Sequence, residues 1–319
     1  MDNKITKSRL SAFLQYEWII ILIVSVASII FWEFVYTVSS VTLTAGQQFK
    51  FYYDESISSG TQKEFYSFLV SENTFSYDVL KVDAEALTSG YNVLSDRLSI
   101  QEGDILITDS KEYGEGKEVR AKSNVDNYNV YSFEKMLLDA ESYLQKFLKD
   151  GQTDACEGQL DRAKIESRFR VRMKKDNRFR KEKQIVIGIE DEVKRITKLQ
   201  NEVKDFKKLL SLGDEYFFRY TKYEQKYELG DEETKKTYQS AYEQHTEKIY
   251  GLNVGALKGE GKTDPSKYFK MKSIDFSVDT ADNVVIMAFD FLSYQPDLQF
   301  ECISFINTVV RECSNVLDA

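Results

Sequence analysis

The sequence predicts a membrane-anchored α/β protein, and three observations carry that reading. Fifteen uncharged residues, Trp18 to Trp32, lie between Glu17 and Glu33, and residues 34–38 extend the apolar stretch. From residue 49 to 109, short apolar runs alternate with segments of helical period. That order, strand, helix, strand, helix, strand, is the pattern of a parallel sheet faced by helices. Residues 151–213 then form a charged helical region ahead of the C-terminal residues 214–319.

The apolar run is long enough to span a bilayer. Roughly 20 helical residues at about 1.5 Å each cover a hydrocarbon core of ~30 Å. Trp18, Trp32 and Tyr36 stand at its two ends, where amphipathic rings favour the headgroup level. We assign residues 1–16 as a tail and 17–39 as a transmembrane helix. Lys4, Lys7 and Arg9 precede it, and the next basic residue is Lys50. Positive charge stays cytoplasmic, so the N-terminus is expected inside and residues 40–319 outside. The alternative is a signal peptide cleaved at Val38-Ser39-Ser40, but such peptides carry apolar regions of only about 7–15 residues. An uncleaved signal-anchor is the reading adopted.

Composition bounds the exterior. The three basic and three acidic residues before residue 40 cancel, so residues 40–319 carry the whole net charge of −9. Nucleic acid is thereby disfavoured as a partner, as is uniform binding of anionic lipid by the exterior as a whole. Two prolines in the chain argue against a Pro-rich stalk, and 20 Tyr with 21 Phe can fill a substantial core. Cys302 and Cys313 fall on one predicted helix about 16 Å apart, beyond the ~7 Å that a disulfide bridges. They read as buried small hydrophobes, and no spacing suggests a metal site.

Along the exterior, Phe49–Tyr53 alternates as a strand, and residues 61–73 carry Phe65, Phe68 and Leu69 at helical spacing. A second strand is expected at Tyr77–Val82, a helix at Ala84–Leu98, and a third strand at Gly103–Asp109. Ser110–Asn129 reads as a loop, and residues 133–149 as a helix. From Ile189 to Leu210, Val193, Ile196 and Val203 mark a long amphipathic helix. Ile274–Val278 and residues 284–291 are expected to pair as a hairpin, and a final helix begins after Pro296.

Catalytic motifs fail. No G-x-S-x-G occurs, and the lone histidine, His245, lies in a polar helical context. Residues 256–263 approach a phosphate loop, but Ala256 stands where its first glycine belongs. We expect no catalytic residue, no cofactor and no enzymatic activity. The stretch Arg162–Lys183 holds eleven basic residues against three acidic ones. Arg168, Arg170, Arg172, Lys174 and Lys175 are therefore candidate polyanion contacts, for a wall polymer, an anionic glycan or lipid headgroups. The competing reading is a solvated helix face, as charge runs usually are.

The order from Phe49 to Asp109 resembles the first lobe of extracellular solute-binding proteins of bacterial ABC transporters. In that family a strand, a helix, a second strand and a Gly-Asp-aliphatic strand follow one another; Phe49–Tyr53, Tyr77–Val82 and Gly103–Ile107 take those places. The resemblance implies a two-lobed, periplasmic-binding-like ectodomain, with residues 40–150 as first lobe and 214–319 as second, separated by the helical region 151–213. It also implies a ligand cleft at strand C-terminal ends, a small solute such as an oligosaccharide or peptide, and transporter permease subunits as partners. By their position after strands, Asp54, Glu55 and Asp109 are the candidate ligand contacts. The alternative function is a structural or interaction protein at the cell surface, binding a wall polymer or membrane partner through residues 151–213.

Overall fold

A computed structural model of the chain describes residues 7–39, 47–54, 57, 68–69, 72–87, 91–100, 102–110, 120–221, 247–269, 280–290 and 300–318. The chain divides into two units, Met1–Thr44 and Ala45–Ala319. In the first, helix α1 spans Lys7–Ser39. Its segment Trp18–Tyr36 has a mean hydropathy of 2.4, long and apolar enough to cross a membrane. Within that segment Ser28 Oγ donates to the Val24 carbonyl, 2.7 Å away, so this hydroxyl is satisfied inside the helix.

The second unit is built on one mixed sheet. Its six strands are β1 (Gln48–Asp54), β2 (Lys81–Leu87), β3 (Ile105–Asp109), β4 (Phe217–Tyr220), β5 (Lys248–Asn253) and β6 (Val284–Ala288). They lie in the order β2-β1-β3-β6-β5-β4. β1 pairs in parallel with β2 and β3, whereas β6 runs antiparallel to both β3 and β5, and β4 antiparallel to β5. The parallel strands expected from the sequence are thus present and adjacent. The two expected lobes share this sheet among the described residues: β3 from the first pairs directly with β6 from the second, at Ile105–Ala288 through Asp109–Val284. The physical reason is the character of residues 284–288, buried at every position, which suits an interior strand rather than the exposed arm of a hairpin. The partner expected for that hairpin, Ile274–Val278, lies outside the described residues.

Alternation along β1 builds two cores. Phe49, Phe51 and Tyr53 face one layer, formed by α4 (Phe133–Gln145), α6 (Glu182–Leu209) and α7 (Glu301–Cys313). Tyr52 faces the other, with Leu94 of α2 (Tyr91–Ser99) and Ala121 and Val125 of α3 (Arg120–Asn127). The result is a sheet between two helical layers. The central helix α7 is buried continuously from Glu301 to Val310, with Phe305 against Phe49 and Phe51 at ring separations of 6.0 and 4.9 Å. Such aromatic pairs add to the burial itself.

Three local expectations are corrected. β2 lies at 81–87, not 77–82, because parallel pairing with all seven residues of β1 recruits Val82, Ala84 and Ala86 toward the core. Those alanines had suggested a helix from 84; it begins only at Tyr91. Residues 120–127, read as loop, form α3, whose short apolar face of Ala121 and Val125 is spaced four apart. Gly103 has φ +129°, and a Cβ there would stand 2.6 Å from the Tyr52 ring, so glycine is required where the chain enters β3. The near phosphate loop is structural: Lys262 Nζ bonds the Arg311 carbonyl at 2.8 Å and Thr263 Oγ1 bonds Glu312 at 2.5 Å, fastening the end of α7. His245 and residues 61–67 and 70–71 of the expected second helix lie outside the described residues.

Candidate functional site

The connection from β1 to β2 moves one way across the sheet, and β3 is then laid on the other side of β1. The boundary between β1 and β3 is therefore the topological switch point, where loops part and ligands gather at strand C-terminal ends. Asp54 and Asp109 are the last residues of these two strands. Alternation places Asp54 on the α3 side, with Tyr52, and Asp109 on the α4 side, with Ile107. Both are buried, at 3 % and 0 % exposure. Arg120, the first residue of α3, bonds Asp54 through Nη1, and the same nitrogen lies 3.8 Å from Asp109 Oδ2.

The surrounding contacts hold this constellation rigid. Thr108 Oγ1 donates to Asp54 Oδ2 at 3.3 Å and accepts from Asn124 Nδ2 at 3.1 Å. The backbone N–H of Ser110 donates to the Asn283 carbonyl at 2.9 Å, tying the end of β3 to the turn before β6. The Arg120 side chain is 40 % exposed, so a guanidinium flanked by two buried carboxylates faces solvent. One guanidinium against two carboxylates leaves a formal charge of −1, and the polar atoms suit hydrogen bonding to a polar solute. Sequence position alone singled out Asp54 and Asp109, and the structure brings them together. Glu55 lies outside the described residues. Arg120 was missed because its role depends on α3, which the polar stretch around it concealed.

The basic stretch is arranged differently from a uniform cationic face. It folds as α5 (Arg162–Arg172), two single 3-10 turns, and the start of α6. Arg168 and Arg172, four apart, share the inner face with Ile165 and Phe169. Arg168 lies over the rings of Tyr143 and Phe147, at 5.4 and 5.8 Å. Arg172 pairs with Asp78 and Glu192 at 2.9 and 2.8 Å. Both side chains are therefore engaged within the domain, unlike a freely solvated cationic face. Arg170 and Lys174 are exposed, although Arg170 bonds Glu166 and Glu182 at 2.9 and 3.1 Å. Lys175 closes a 3-10 turn, and its side chain lies outside the described residues.

Glu192 is the hub of this network. It accepts from Arg172 and Tyr77, each at 2.8 Å, and from Arg195 Nη2 at 2.8 Å. Burial opposes its ionisation, but Arg195 and Arg172 outweigh that and hold its carboxyl below the ordinary range. Close by, Gly188 lets α6 approach the rings of Phe169 and Phe179, where a Cβ would fall within 2.4–2.5 Å. The α5–α6 corner carries a concavity of about 400 Å³, floored by Phe169, Met173 and Ile185 and rimmed by Arg170, Lys174 and Arg180.

Comparison with known protein families, with curated proteins and with solved structures finds no match for this chain. What the geometry defines is a class: a mixed α/β domain following an apolar N-terminal helix that can cross a membrane.

Proposed function

We propose that this protein is a membrane-anchored, extracellular binding module that holds a polar solute, such as an oligosaccharide or peptide, at the β1/β3 switch point. One observation supports it above the rest: Asp54 and Asp109 end the two parallel strands that flank the switch, and Arg120 joins them there. The parallel order β2-β1-β3 accords with the resemblance to the first lobe of transporter solute-binding proteins. On this reading the N-terminus is cytoplasmic, the protein is not an enzyme, and transporter permease subunits are the partners implied.

The test is thermal unfolding of the full chain in detergent, with panels of oligosaccharides, short peptides and small anions at millimolar concentration. A specific solute raises the transition by mass action, about 2.7 kcal/mol when present at a hundred times its dissociation constant. That rise should disappear in Arg120→Gln, whose side chain is half-exposed, and persist in Lys174→Gln. Stabilisation by no class, or stabilisation indifferent to Arg120→Gln, overturns the assignment.

A second reading, an interaction protein at the cell surface, is favoured by a separate observation. Strands from both halves of the chain share one sheet, with β3 paired directly to β6. Solute-independent capture through the α5–α6 corner would be its signature.

A further inference from the structure

We propose that the α5–α6 corner is a second membrane contact, seating the folded domain on an anionic lipid surface. The argument begins with where the chain arrives. β1 and β2 are parallel and in register from Gln48 and Lys81, and the Leu80 N–H donates to the Gln47 carbonyl at 2.8 Å. The segment leading into β2 therefore lies on the same edge of the sheet as the residue at which the chain arrives from the anchor. That segment holds the corner: Arg172 and Arg178 both bond Asp78, at 2.9 and 3.1 Å, and the Tyr77 hydroxyl bonds Glu192 at 2.8 Å. The corner is thus locked to the incoming edge, and the Asp54–Asp109 site lies at the opposite one. Eight residues separate Ser39 from Gln48, a span of at most about 30 Å.

The chemistry at this edge matches a lipid surface. Val171, Val186 and Ile187 are exposed by 76, 50 and 54 %, at the end of α5 and the start of α6. The Arg170–Glu182 pair, 3.1 Å, clips those two turns together. Lys174, Arg180, Lys181 and Lys183, in the turns between the two helices and at the start of α6, are exposed as well. Exposed aliphatic side chains and exposed cations in the same short stretch suit the boundary between anionic headgroups and acyl chains. A soluble polyanion would use the cations and leave the aliphatics in water. The rest of the exterior is acidic enough to give the chain its net charge of −9, so this corner is the part of the domain that such a surface attracts.

The experiment uses the full chain in nanodiscs of phosphatidylcholine alone or with one part in three phosphatidylglycerol, followed by hydrogen exchange. Peptides covering residues 170–187 should exchange several-fold more slowly in the anionic discs, and the difference should fade in high salt. Each neutralised cation weakens the contact about fivefold. The variant Lys174→Gln, Arg180→Gln, Lys181→Gln, Lys183→Gln therefore abolishes the protection. Val171→Ser, Val186→Ser, Ile187→Ser should abolish it as well, and this second set alters only exposed side chains, so the fold is kept. Equal exchange in the two kinds of disc overturns the proposal. Protection by soluble polyphosphate in phosphatidylcholine discs, without protection by anionic discs, overturns it in favour of a polyanion.

Discussion

Arg172 Nη2 lies 2.9 Å from Asp78 Oδ2, a contact that joins the last turn of α5 to the segment entering β2, ninety-four residues earlier in the chain. The Asp78 side chain is only 4 % exposed and that of Arg172 18 %, so the pair is shielded from solvent. Arg178 also reaches Asp78, and Glu192 completes the arrangement. A surface pair would be worth little, but removing one member of a buried pair strands the charges left behind.

Asp78→Asn and Glu192→Gln should each destabilise the domain, by about 3 kcal/mol for Glu192→Gln, which leaves Arg172 and Arg195 without their shared carboxylate. Denaturant unfolding of the full chain in detergent measures this. The double variant Arg172→Met, Glu192→Gln should lose less than the sum of its single changes, a coupling that identifies the contact itself. Additive losses would mean the pair contributes nothing specific.

A pH dependence follows from two acids at the base of α7. Burial, eased by the Lys50 backbone N–H and reinforced by the Glu301 charge, pushes the Asp104 carboxyl up to about 7. Glu301 is likewise raised by burial, against the Ser76 N–H and the charges of Arg195 and Lys198. A carboxyl raised in the folded state binds its proton more tightly there than in the unfolded chain. Its contribution to stability is complete below the ordinary carboxylate range and is lost as pH rises toward 7. Stability should fall from about pH 4 to about pH 7 and level off above, and Asp104→Asn, whose amide oxygen can still accept the Lys50 N–H, should recover on the order of 2 kcal/mol at pH 8. A flat profile for both proteins would refute the linkage.

The orientation proposed for α1 has a direct readout. Protease added to intact cells should remove residues beyond 40 and leave a membrane-bound stub carrying the N-terminus. Survival of the domain until the cells are lysed would reverse the orientation. A mature chain beginning near Val41 would show that the apolar helix is cleaved.

Much of this protein is legible in one dimension, because some signals are local. The uncharged run at 18–32 requires only length and composition to read as a membrane-crossing helix, and α1 covers it. The alternation of Phe49, Phe51 and Tyr53 and the period of Val193, Ile196 and Val203 each arise from one element meeting one core, so the sequence by itself determined β1 and α6. It also placed Asp54 and Asp109 at strand ends. Tertiary structure decided the rest. Val82, Ala84 and Ala86 became strand because β1 offered seven residues to pair with, which outweighed the helical preference of alanine. Arg120 acquired a role only when α3 carried it to the ends of β1 and β3. Arg168 and Arg172 look like their neighbours in sequence, yet the inner face of α5 turns them toward Tyr143, Asp78 and Glu192. Whether a charge is spent inside the protein or left for a partner depends on which residues long-range folding places opposite it, and no local pattern encodes that.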